Sequence, residues 1–114
     1  MSATQFDQWA MTTYNKEADA YFRALRSYNV KLQDYEERFL QRSLFTQEQL
    51  DRLERDGRIL DAKKELLDKK KKAMDTVYPK LQALDALVGS GGQLTEAMME
   101  EIMDFLEDFA LGGM

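Results

Sequence analysis

The sequence predicts an all-α fold: a long, coiled-coil-like antiparallel helical hairpin followed by a short C-terminal amphipathic helix. Three observations carry this. Tyrosine recurs every seven residues at Tyr14, Tyr21, Tyr28 and Tyr35, with Ala18, Leu25, Leu32 and Phe39 four residues after each. A second seven-residue ladder follows at Leu53, Leu60, Leu67, Met74, Leu81 and Val88. Between the two lies only the short break Arg42-Ser43-Leu44-Phe45. A connection this short between two long helices forces them to lie side by side and antiparallel.

The first helix is expected over about residues 5–42, with Thr4 or Asp7 as the cap. Its alternating 4-3 spacing keeps one apolar seam on one side of a helix wound at about 3.5 residues per turn, the condition for packing along a partner helix. Phe6, Trp9 and Ala10 extend that face toward the N-terminus, and Phe22 and Leu40 widen it, so more than one neighbour is expected there. Tyrosine suits the edge of such a seam because its ring packs while its hydroxyl reaches water.

The second helix is expected over about residues 46–88. Thr46 with Gln49 makes a capping box, and Phe45 with Leu50 makes a hydrophobic staple. Asp56, Lys63 and Lys70 interrupt the companion row of the ladder until Val77 and Leu84 restore it, while Ile59, Leu66 and Ala73 thicken the other side. The apolar stripe therefore rotates along the helix, as in a bundle. Gly57 weakens the helix by about 1 kcal/mol relative to alanine, and Pro79 is expected to kink or split it near Asp75 to Tyr78.

Gly89-Ser90-Gly91-Gly92 reads as a flexible linker, residues 89–93. The acidic amphipathic helix then occupies the segment 94–114: it starts at Leu94 and Thr95, runs to Leu111 and is stopped by Gly112-Gly113. One side carries Met98, Met99, Ile102, Met103, Phe105, Leu106 and Phe109, and the other Glu96, Glu100, Glu101, Asp104, Glu107 and Asp108.

Composition narrows the function. The chain has neither cysteine nor histidine, so it lacks thiolate chemistry, the commonest metal ligand and the commonest general base near neutral pH. No glycine loop precedes a lysine-serine pair, and adjacent carboxylates such as Glu36 and Glu37 diverge by about 100° on a helix. No enzyme activity, cofactor or metal is expected. No apolar run is long enough to span a membrane, and the N-terminus lacks a secretory pattern, so the expected location is cytoplasmic. The net charge of −5 is unevenly placed: residues 93–114 carry six acids and no base. That tail points toward a basic protein surface. The basic residues Arg52, Arg55, Arg58, Lys63, Lys64 and Lys69 to Lys72 alternate with acids, which reads as a solvated face. Nucleic acid bound on that face, or an acidic inhibitor imitating nucleic acid, are the alternatives.

The pattern resembles the architecture of small coiled-coil hairpin proteins that serve as secretion chaperones, assembly factors or stalk components. That likeness implies a protein-protein interaction module. Two surfaces are expected to serve it. A partner of unknown identity would meet the methionine- and phenylalanine-rich face of the third helix, unless that helix folds back onto the hairpin. Self-association, as a dimer and a helical bundle, would use the seam of Tyr14, Tyr21, Leu25, Tyr28, Leu32, Tyr35, Phe39, Leu53, Leu60, Leu67 and Met74, because the third helix is too short to shelter a hairpin of about 60 Å.

Overall fold

The structure, a computed structural model, describes residues 2–111. Its described residues form three α-helices, α1 (Ala3–Leu40), α2 (Gln47–Gly89) and α3 (Glu96–Ala110), with a 3-10 turn at Arg42–Leu44 and no strand. The stop expected at Gly112-Gly113 lies outside the described residues.

Each helix begins where a side chain can satisfy its first amides. For α1 this is Ser2, neither Thr4 nor Asp7: the Gln5 amide donates to Ser2 Oγ at 3.1 Å, and Gln5 Oε1 accepts from the Ser2 amide at 2.9 Å. Thr4 and Asp7 lie inside the helix, since the reciprocal pair two residues upstream of Thr4 satisfies two amides at once. The α2 start is the expected one, with Thr46 and Gln49 forming the same box. Thr95 caps α3, its Oγ1 accepting from the Met98 amide at 3.2 Å.

α1 and α2 run antiparallel, because partners on α2 fall in number as those on α1 rise. Tyr14 meets Tyr78 with ring centroids 5.6 Å apart, and Arg38 Nη1 reaches Asp56 at 2.9 Å. Pro79 does not split α2, which is helical throughout Gln47–Gly89. The proline is exposed, so the Asp75 carbonyl left without its amide faces water, while Met74, Val77, Leu81 and Leu84 are buried on either side and hold the helix together.

Gly57 has a packing role as well as a propensity cost. An added Cβ would sit 2.9 Å from the Tyr35 hydroxyl and 3.2 Å from the ring carbon that bears it. Gly57→Ala is therefore expected to forfeit the gain of about 1 kcal/mol that alanine brings to a helix interior. In a Tyr35→Ala background that gain should reappear, read as a higher urea midpoint. A full gain with Tyr35 intact would show that the ring moves aside freely.

The glycine run after α2 closes as a cap. Gly91 takes φ 77°, and two hydrogen bonds, Gly91 amide to Val88 carbonyl at 3.1 Å and Gly92 amide to Leu87 carbonyl at 2.9 Å, close a Schellman motif. The run turns the chain back so that α3 lies against the open end of the hairpin.

The molecule is consequently a rod of 66 × 20 × 18 Å with two unlike parts. At the open end three helices form a head, where Phe6, Ala10, Val77, Leu81, Leu84, Ile102, Leu106 and Phe109 pack together. α3 is 15 residues long, or about 22 Å, so the remaining hairpin is a stalk only two helices thick.

Candidate protein-interaction surface

α3 docks by a narrow stripe. Ile102, Leu106 and Phe109 are spaced 4-3 and point inward, and all are buried in the head. Phe109 is fully covered, its ring centroid 5.7 Å from that of Tyr14. Lys80 of α2 fastens one edge: its Nζ lies 2.9 Å from Glu101 Oε1 and 4.5 Å from the centre of the Phe105 ring. This is an ion pair and a cation-π contact on one ammonium, each worth about 0.5–1 kcal/mol at a surface.

The residues assigned to partner binding therefore divide. Ile102, Leu106 and Phe109 are held inside the chain's own head, Met98, Met99 and Phe105 flank that contact half-buried, and Met103 is 41% exposed. Hydrophobic burial and the Schellman turn bring the fold-back about, and the solvent face of α3 keeps its acids.

The seam residues divide in the same way. Tyr21, Leu53, Leu60, Leu67 and Met74 are buried within the chain, and Tyr14, Leu25, Tyr28, Leu32 and Tyr35 are half-buried. Phe39 is exposed near the turn, stacked beside Tyr35 at 6.0 Å, with the Arg42 guanidinium 4.0 Å over its ring. The hairpin thus uses most of the seam internally. The large apolar side chains still in water on the stalk include Phe22, Val30, Leu40, Ile59 and Leu66.

Two features come from pairings that sequence spacing does not specify. The first is a cleft of about 300 Å³ between the start of α1 and α3, with Phe6, Trp9, Met99 and Met103 as apolar walls and Glu96 and Glu100 at its rim. The second is Asp7, buried between the helices with no hydrogen-bond partner for Oδ1. Its carboxyl is raised from 3.8 to about 6, first by burial and then by Asp85 opposite. A signal for Asp7 was present: it stands seven residues before Tyr14, in the row that Tyr21, Tyr28 and Tyr35 continue.

The basic residues of α2 are partly committed. Arg52 pairs with Glu48 at 2.8 Å, Lys69 with Glu65 at 3.8 Å and Lys71 with Asp75 at 3.5 Å, all one helical turn apart. Among the described residues no three carboxylates gather as a bound metal would require, and no helix is long and apolar enough to cross a membrane. No family model matches the chain, and neither a curated protein nor a solved structure does.

Proposed function

We propose that the chain is a non-enzymatic helical protein-protein interaction module of the chaperone, adaptor or assembly-factor kind, working in the cytoplasm. It offers a cleft at the side of the head to a protein partner and the face that carries the stalk to a second copy of itself. The observation that carries the first half is the Phe6, Trp9, Met99 and Met103 cleft with its two glutamates. An apolar hollow with methionine walls accepts side chains of varied shape, and a rim of one sign selects the charge beside them. The ligand that fits is a peptide or helix edge with one or two large apolar residues next to lysine or arginine.

Selection from a displayed peptide library on the immobilised full chain tests this, with Trp9 as the chain's single tryptophan reporting occupancy by fluorescence. Enriched peptides should combine an aromatic or aliphatic residue with a neighbouring base. Met103→Lys, which puts a like charge beside the ligand's base, should lower their affinity at least tenfold and leave the helical content unchanged, since Met103 is exposed. Peptides without basic residues, or binding indifferent to Met103→Lys, would overturn the assignment of the cleft.

A further inference from the structure

The groove that α3 fills in the head does not stop where α3 stops. Seven-residue steps carry the same faces down the stalk, from Leu84 and Val77 to Lys70 and Lys63 on α2, and from Phe6 to Ser27 and Asp34 on α1. Two open depressions lie along this path. One, of about 300 Å³, is lined by Ala24, Tyr28, Leu66 and Lys70, and the next, of about 250 Å³, by Lys31, Arg38, Asp56 and Ile59. Lys63 belongs to both, so they form one trough. Its floor leaves Leu66 52% and Ile59 47% exposed.

The trough is basic. Its two acids, Asp34 and Asp56, both bind Arg38, at 3.0 and 2.9 Å, whereas among the described residues Lys31, Lys63 and Lys70 make no ion pair. Lys31 and Lys63 face each other closely enough that hydrogen bonding and repulsion between them hold the Lys63 ammonium below the usual lysine range. An anion beside this pair would relieve that repulsion.

The same chain carries the complementary surface. With Ile102, Leu106 and Phe109 turned inward, helical geometry puts Glu100, Asp104, Glu107 and Asp108 on the outer side of α3, and all four are exposed. The head stands one helix thicker than the stalk on the face where the trough lies open.

We propose that two copies pair antiparallel along this face, the outer acidic side of α3 in each head lying over the Lys31, Lys63 and Lys70 trough of the other copy's stalk. The contact is made twice, related by a two-fold axis, and the raised head of each rod fills the recess of its partner. α3 stays docked on its own head and is covered on both sides. Leu66 and Ile59 leave water, and the lysines gain the carboxylates they lack within one chain.

This rests on the self-association half of the proposed function, and light scattering together with charge reversal separates the two. The wild-type full chain should be a dimer of about twice 13.3 kDa. Its dissociation should strengthen at molar salt, where charge attraction is screened within about 3 Å. Lys63→Glu with Lys70→Glu in one variant, and Glu100→Lys with Glu107→Lys in another, should each weaken the dimer at least tenfold. An equimolar mixture of the two should dimerise again, because one contact then joins native faces and the other joins two reversed faces. That rescue also excludes misfolding as the cause of the losses. The chain has no cysteine, so Ser43→Cys labels the turn uniquely. Antiparallel pairing should keep two such labels at opposite ends of the rod and give little energy transfer. A monomer at every concentration would end both readings. A dimer that ignores the reversals, fails to form from the mixture or brings the turns together would end this proposal alone and leave self-association standing.

Discussion

Phe109→Ala is expected to cost about 3–5 kcal/mol, the range for removing a large buried aromatic ring. Phe109 has no exposed surface and sits where all three helices meet, against Tyr14 of α1. Its loss opens a cavity at the far end of α3, beyond the Lys80 contacts. α3 has only 15 residues, a length at which an isolated helix is marginal in water, so it should unfold as it detaches. Circular dichroism should then fall by about a sixth, the share of α3 beside helices of 38 and 43 residues. Hydrogen exchange should become fast first in residues 96–110, while the Leu53, Leu60 and Tyr35 region of the stalk stays protected. Uniform loss of protection along the whole rod would mean that head and stalk unfold as one unit.

Asp7→Asn should act in the opposite direction and raise stability at pH 7. The carboxyl titrates near 3.8 when unfolded and about 6 when folded, so the folded chain holds its proton over a range where the unfolded chain has released it. Below about pH 4 both states are protonated and Asp7 carries no penalty. Between about 4 and 6 stability falls as pH rises, and above about 6 the full cost is present, on the order of 2–3 kcal/mol. Asparagine removes the titration and keeps the shape, so the melting temperature should rise at neutral pH and lose this dependence between pH 4 and 6. Burial is the largest single cause, and the hydrogen bond and charge of Asp85 add to it, so Asp85→Asn should recover only part of the gain. A larger gain from Asp85→Asn than from Asp7→Asn would reverse that order.

The two effects come from the same region. The head packs three helices around Leu81 and Phe109, and among the described residues Asp7 is the one charged side chain buried there. An ionised carboxylate between α1 and α2 opposes closure of the same end that Phe109 holds shut. Mild acid, by protonating Asp7, should therefore tighten the head.

Much of the hairpin could be read from local pattern. The Leu53, Leu60, Leu67 and Met74 row is the buried face of α2, and Thr46 with Gln49 marks its start, because heptad spacing and amide capping act within one or two turns of chain. The start of α1 was readable too, but Ser2 with Gln5 outcompetes Thr4 and Asp7 as a cap, and the choice depends on which amides each pair can satisfy together. At Pro79 local chemistry allowed either a kink or a break, and the chain stays helical through it, with Val77, Leu81 and Leu84 packed on both sides.

By itself, then, the sequence determined an all-helical chain, a hairpin with its turn near residue 43, and a third helix with an apolar and an acidic side, since each depends on spacing along one helix or on a short connection. Only the tertiary structure decided which of those faces remain available. The Schellman turn at Gly91 and the burial of Phe109 direct α3 back onto the hairpin, and so hide Ile102 and Leu106, form the Trp9 and Met103 cleft, and leave the lysine trough open. The reason is physical: a helix pattern states which side chains must leave water, while the partner that covers them is set by which surfaces the folded chain brings within reach.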